Sequence, residues 1–242
     1  MPSDRFEARN HYEGWHQDLD VDRDASSPWH ELVREYLDPS RDVAGKMVLE
    51  IGCGRGGFTS WLASLPTPSR QLVATDFAHS AVHKGRAFAQ SLDLAGISWS
   101  VGDIQGLAHV DHSFDTVISC ETIEHVPDPA KAIAELARVL KRGGKLILTT
   151  PNYLGPYGLY RIYLRLRGRR FTEAGQLINN LTLLPCTMRW ISKAGLRIIA
   201  VDAIGHYLML PGRTPIRLER PTSSRFIVRW FGLHSIVVAQ KP

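Results

Sequence analysis

Val48-Leu49-Glu50-Ile51-Gly52-Cys53-Gly54-Arg55-Gly56-Gly57 decides how the rest of the chain is read. An apolar run ends at an acidic residue and passes at once into a glycine-dense turn. Such a turn suits a strand that feeds a tight loop whose backbone must come close to a ligand.

Gly52, Gly54 and Gly57 fit the spacing G-x-G-x-x-G, which serves more than one nucleotide ligand. The next apolar run, Gln71 to Thr75, ends at Asp76, about 20 residues beyond the loop, where a carboxylate can accept from both hydroxyls of a ribose. Nicotinamide dinucleotides and S-adenosylmethionine both call for that carboxylate, so these features leave the nucleotide open.

The later strand ends narrow the choice. Gly102-Asp103-Ile104 comes after the third strand, and Ser119-Cys120-Glu121-Thr122-Ile123-Glu124-His125-Val126-Pro127-Asp128-Pro129 after the fourth. With Glu50 and Asp76 they form an ordered set that resembles the class I S-adenosylmethionine-dependent methyltransferases, particularly the small-molecule branch that includes the ubiquinone-biosynthesis O-methyltransferases. The resemblance runs from about Val48 to Asn152.

It implies S-adenosylmethionine as the cofactor and a site built from Glu50, Gly52, Cys53, Gly54, Asp76, Phe77, Asp103, Ile104, Cys120 and Glu121. The Gly52-Cys53-Gly54 backbone would meet the methionine end with its N–H groups, and Glu50 would orient the loop. Asp76 would accept from the ribose hydroxyls, with Phe77 against the adenine. Asp103 would accept from the adenine amino group while Ile104 packs on the ring, and Cys120 and Glu121 would pass the methionyl arm. Each has a plainer alternative: Glu50 as a carboxylate satisfying loop amides, Asp76 as a helix cap, Asp103 as an ordinary Gly-Asp turn. The family usually carries proline where Arg142 stands.

His125 is the candidate for chemistry. Methyl transfer from a sulfonium is an in-line displacement that needs the acceptor held close and its proton removed, and a neutral histidine suits a hydroxyl. In the resembling family the pair matching Glu124-His125 faces the substrate. Alternatively His125 bonds a neighbouring carbonyl as a turn residue.

The chain has 242 residues, 44% apolar and 22% charged, enough for one full α/β core. A single domain is expected, divided into a helical cap (1–45), a cofactor-binding core (46–152), a lid or acceptor segment (153–195) and closing strands (196–242). Three cysteines without metal-type spacing, and no apolar run near the N-terminus, predict a reduced, cytoplasmic protein without a signal peptide or membrane span. Cys53 and Cys120 read as small fillers beside the cofactor, and no histidine or carboxylate spacing suggests a metal site.

The net charge of +5 hides an asymmetry. Up to Glu135 there are 21 acidic and 11 basic residues; from Leu136 onward there are 3 acidic and 18 basic. A nucleic acid, an anionic membrane or a phosphorylated substrate would each profit from such a field, and solvated scatter explains it too.

Period and punctuation predict strands at Met47–Ile51, Gln71–Thr75, Ile97–Val101, Phe114–Ser119 and Lys145–Thr149, alternating with helices at Gly57–Ser64, Ser80–Ser91 and Asp128–Leu140. Asp128-Pro129 reads as an N-cap followed by proline at the first helical position, and Ser26-Ser27-Pro28 starts a cap helix in the same way. The β-branched runs Leu196–Ala203 and Ser235–Gln240 predict two antiparallel strands closing the edge. The fold class is therefore α/β: a Rossmann-like, mostly parallel seven-stranded sheet with a C-terminal antiparallel pair, an N-terminal helical cap and a helical lid inserted after the fifth strand.

In that insertion Leu159, Ile162, Tyr163 and Leu166 recur at helical spacing, with Arg161, Arg165 and Arg169 on another face. One reading packs the apolar stripe on the core as a lid. The other makes it an interfacial element, with Arg161 and Arg165 contacting an anionic membrane or a phosphorylated or lipid-linked acceptor. Tyr12, Trp15, His16, Trp190, His206 and Tyr207 are further candidates to line the acceptor site.

The expected activity is methyl transfer to a small-molecule acceptor, most plausibly at oxygen. A nicotinamide-dependent oxidoreductase would share the glycine loop and Asp76, and a non-catalytic membrane- or nucleic-acid-binding protein would use only the basic surface. Nucleic acid is the weakest partner, because no appended RNA-binding module and no Asn/Asp-Pro-Pro-Tyr motif is present.

Overall fold

The computed structural model describes residues 5–18, 25–169, 178, 180–208, 216–218 and 229–242. Outside them lie residues 1–4 and 19–24 of the expected cap, 170–177 and 179 of the expected lid, and 209–215 and 219–228 of the expected closing segment.

Five parallel strands come first: β1 (Met47–Ile51), β2 (Gln71–Asp76), β3 (Ile97–Val101), β4 (Phe114–Cys120) and β5 (Leu140–Pro151). Then come β6 (Arg197–Ile204), a two-stranded ribbon of β7 (Tyr207–Leu208) and β8 (Ile216–Arg217), and β9 (His234–Gln240). The main sheet has seven strands in the order β3-β2-β1-β4-β5-β9-β6. The last strand inserts between β5 and β6, antiparallel to both. Closure by an antiparallel pair, as expected, sets this sheet apart from one that continues with another βαβ unit.

Period-2 alternation divides the core between the two faces. Leu49, Val117, Leu146, Leu148 and Val237 point to one side, which α5 (Pro129–Val139) and α7 (Leu184–Lys193) cover with Ile133, Leu136, Leu184 and Ile191. Val48, Ile118, Ile147, Ile236 and Val238 point to the other, under Leu32 and Val33 of α2 (Pro28–Tyr36) and Phe58 and Leu62 of α3 (Gly57–Ala63). α1 (Arg5–Asp18) lies beside α4 (His79–Ser91).

Local starts obey the chemistry read from the sequence, with one exception. The Asp128 carboxylate accepts from the Lys131 amide at 3.0 Å and Pro129 opens α5. Ser27 precedes Pro28 but caps α2 through its carbonyl, which accepts from His30 and Glu31, and its hydroxyl makes no cap bond. β5 starts at Leu140 rather than Lys145, because Leu140 pairs with Phe114 and the register shifts between Phe114 and Thr116 to take up Arg142-Gly143-Gly144. α7 was not anticipated.

α6 (Pro156–Leu166) forms where expected, but its stripe does not pack on the core: Leu159 is 68% exposed, Ile162 58% and Leu166 82%. It attaches near its first turn. Gly155 and Gly158 lie so close to the carbonyls of Phe231 and Tyr153 that a Cβ at either would collide with backbone, and Arg161 sits 5.1 Å over the Tyr153 ring.

Candidate active site

Parallel strands deliver their last residues to one end of the sheet, and a cavity of about 820 Å³ opens there. Glu50, Gly52, Cys53, Gly54, Asp76, Phe77, Asp103, Ile104, Cys120, Glu121 and His125 all line it.

Gly52 has φ +76°, and a side chain there would drive into Thr122. The loop amides, however, are engaged within the protein. Gly52 and Cys53 both donate to the Thr75 carbonyl, at 2.8 and 3.1 Å, and Gly54 donates to Asp76 Oδ2 at 2.8 Å. The expectation that these three N–H groups meet a ligand carboxylate does not match this wiring: they hold the loop against the end of β2.

Asp76 is fixed from two sides, since the Ala78 amide donates to its Oδ1 at 2.9 Å while Gly54 holds Oδ2. Each oxygen can accept again. His16 approaches with Nε2 3.9 Å from Oδ1. The α4 amides of His79 and Ser80 donate instead to the Glu13 carboxylate, at 2.6 and 2.7 Å, so α1 supplies the cap that Asp76 would otherwise have provided.

Glu50 is 2% exposed and accepts a short hydrogen bond from the Thr59 hydroxyl. Burial pushes its carboxyl up to about 8, with Thr59 opposing and Asp76 adding to the rise. Burial likewise pushes the Cys53 thiol well up, which suits a filler and not a nucleophile. Asp103 accepts from the Gln105 amide at 2.8 Å, so it forms a turn and lines the cavity at once. Phe77 meets Tyr12 edge-on, with centroids 6.4 Å apart, and the Arg9 guanidinium lies 4.9 Å over its ring.

His125 ends a short 3-10 turn (Ile123–His125). Its Nδ1 lies 2.8 Å from the Ile178 carbonyl, so that nitrogen donates and the lone pair sits on Nε2, which is 3.6 Å from Glu124 Oε1. Burial lowers its pKa, against the opposing pull of the Ile178 carbonyl, and keeps the ring neutral. Tyr12 donates to its backbone carbonyl at 3.3 Å.

Of the aromatic candidates, Tyr12, Trp15 and His16 line the cavity; Trp190, His206 and Tyr207 do not. Trp190 packs against the hydrophobic core instead. The sequence reading missed Trp29, Tyr157 and His234, which also line it. His234 Nδ1 is 2.8 Å from Glu121 Oε2. Among the described residues no group of three or more His, Cys, Asp or Glu could hold a metal ion, and no helix is long and apolar enough to cross a membrane.

Residues 49–148 match the family model described as "Methyltransferase domain". Over 205 residues, 83% of each chain, the protein is 30% identical to a ubiquinone biosynthesis O-methyltransferase of Xanthomonas euvesicatoria. The chain belongs to the class I S-adenosylmethionine-dependent methyltransferases. Against the enzyme of that name from Xanthomonas oryzae the identity is 38% over 129 residues, 52% of each chain, and a Streptomyces fradiae transposon protein is matched over 36% of its length at 31% identity. The chain thus spans about half or less of these last two relatives. In fold, this methyltransferase resembles the subunit complexed with the Haloferax volcanii Trm112 methyltransferase activator, with a TM-score of 0.67, 21% identity and 97% of each chain covered. It also resembles an S-adenosylmethionine-dependent methyltransferase of Mesorhizobium loti, with a TM-score of 0.63, 16% identity, and 89% and 99% covered. Family and fold imply S-adenosylmethionine as the methyltransferase's cofactor. The residues present fit it: a glycine-rich loop, and a carboxylate held by two amides with acceptor capacity to spare.

Proposed function

We propose that the protein transfers a methyl group from S-adenosylmethionine to a hydroxyl of a small-molecule acceptor. The observation that carries this reading is Asp76, whose carboxylate is pinned by two backbone amides at the wall of a cavity large enough for cofactor and acceptor together. In this reading Asp76 takes the ribose hydroxyls, Phe77 and Ile104 flank the adenine, Asp103 takes its amino group, and Glu50, Gly52, Cys53, Gly54, Cys120 and Glu121 surround the methionyl arm. Bound there, the sulfonium supplies an electrophilic methyl: an acceptor oxygen forms the O–C bond, the C–S bond breaks with its pair going to sulfur, and the acceptor's proton leaves.

His125, kept neutral by burial, is the base nominated by the sequence. The relatives named for ubiquinone biosynthesis support an oxygen acceptor. Calorimetric titration with S-adenosylhomocysteine and, separately, with NADH tests the site. Micromolar binding of the former alone is expected; binding of NADH alone would overturn the assignment.

A second reading concerns delivery of the acceptor. The exposed Leu159, Ile162 and Leu166 on α6, with Arg161 and Arg165 on the same helix, support peripheral contact with an anionic membrane and a lipid-linked acceptor. Replacing Arg161 and Arg165 with glutamate should abolish flotation with anionic liposomes. Equal flotation of folded wild type and variant would remove this reading.

A further inference from the structure

Of the four imidazoles that line the cavity, those of His125 and His234 are held differently. His125 is locked into its turn, its Nδ1 on the Ile178 carbonyl and its own carbonyl accepting from Tyr12. His234 is the first residue of β9, and because β9 runs antiparallel, that first residue arrives where the parallel strands end, opposite Pro151 of β5. Its ring lies 4.9 Å from Trp29 and 6.2 Å from Tyr157, so α2 and α6 restrict it from two sides.

Glu121 meets it from the end of β4. This residue takes φ +47°, a left-handed conformation that side chains other than glycine rarely adopt, and its amide is tied to the Thr149 carbonyl at 3.1 Å. The turn aims Oε2 at His234 Nδ1, 2.8 Å away, while the buried Oε1 has no hydrogen-bond partner among the described residues. A carboxylate on Nδ1 selects the tautomer whose lone pair is on Nε2 and stabilises the ring once it is protonated. Strained backbone at Glu121 is thus spent on orienting an imidazole at the cavity wall.

We propose that His234, oriented by Glu121, is the general base of the transfer, and that His125 serves to position the turn. The proposal rests on the methyl-transfer reading above. As the acceptor oxygen bonds to the methyl carbon, its proton passes to His234 Nε2, and the imidazolium, paired with Glu121, then releases it to water. Tyr157 of α6 is a further ionisable group facing the ring, at 6.2 Å, and His30 of α2 lines the same cavity.

The test has two parts. The first needs no acceptor: long-range proton–nitrogen NMR of the imidazoles in the full chain should find His234 as the Nδ1–H tautomer in wild type and a mixture in Glu121→Ala. An unchanged tautomer in the variant would overturn the orienting role. The second uses 3,4-dihydroxybenzoate as a probe hydroxyl acceptor. His234→Ala, with His234→Gln as the safer variant for folding, should lower kcat by about 10²-fold or more, keep S-adenosylhomocysteine affinity within about threefold, and recover rate as pH rises and the acceptor ionises by itself. His125→Ala should lower kcat less than about tenfold. A His234 variant within threefold of wild type, or the large loss appearing at His125 alone, would overturn the proposal. Failure of wild type to bind S-adenosylhomocysteine would instead sink the methyl-transfer reading on which it stands.

Discussion

Asp76 and Glu50 stand at the ends of adjacent strands, in different surroundings. Asp76 is wrapped by amide donors, so its variant should speak through ligand affinity: Asp76→Ala should weaken S-adenosylhomocysteine by about 10- to 150-fold, since a hydrogen bond to a charged group contributes about 1.5–3 kcal/mol. A calorimetric loss within about twofold would remove the ribose assignment. Glu50 is buried with one hydroxyl donor and holds its proton up to about 8, against an ordinary value of 4.5. The unfolded chain therefore loses this proton first as pH rises. Its contribution to stability is complete below pH 4.5 and declines by about 1.4 kcal/mol for each pH unit through that window. Thermal melts at pH 5, 6.5 and 8 should show wild type losing more stability toward pH 8 than Glu50→Gln, whose amide does not titrate. Parallel curves would mean that Glu50 is ionised in the fold.

At the level of elements, the closing strands depend on a carboxylate that no motif announces. Asp202 of β6 is fully buried and receives Tyr36 from α2 at 2.7 Å, Nε and Nη2 of Arg229, and the Ala203 amide at 2.8 Å. Asp202→Ala should cost about 3 kcal/mol, the low end for breaking a buried pair because the Arg229 side chain is 34% exposed. Melting should fall by roughly 10 °C, and Tyr36→Phe should cost about 1 kcal/mol. The parallel half of the sheet was legible because each strand ends in punctuation that also lines the cavity: Glu50 and Gly52, Asp76, Gly102 and Asp103, Cys120 and Glu121. His234 was not legible, because an antiparallel strand gives the cavity its beginning, and no turn signature marks a strand's beginning as functional. α6 teaches the complementary point. Its 3.6-residue period says that one face is apolar but not what covers that face, and here its outer turns meet solvent. The wiring of the Gly52–Gly54 amides was hidden as well, since it depends on Thr75, a residue from another strand.

Across the whole molecule, the site is closed by a helix remote in sequence from the strands beneath it. α1 lines the cavity with Tyr12, Trp15 and His16, and beside its contacts with Phe77 its attachments are hydrogen bonds: Glu13 caps α4, Gln17 accepts from Lys84 at 2.9 Å, and His16 accepts from Arg55 at 3.2 Å. Burial raises the Glu13 carboxyl, but the Ser80 and His79 donors outweigh it and hold the group below its usual range. Its contribution is therefore present above the ordinary carboxylate pKa and is lost as pH falls through the lowered value. A roof fastened by hydrogen bonds while the sheet is fastened by apolar burial should separate from it in the thermodynamics. Removing residues 1–18 should change the melting temperature of the ligand-free protein by only a few degrees, because the hydrophobic core clusters contain none of the described α1 side chains. Ligand-linked stability should behave differently. At 100 times its dissociation constant S-adenosylhomocysteine should stabilise the full chain by about 2.7 kcal/mol, roughly 5–10 °C for a domain of this size. At the same ligand concentration the truncated chain should keep less than half of that shift. An equal shift in both proteins would show that the cofactor is held by the strand ends alone, with α1 covering only the acceptor.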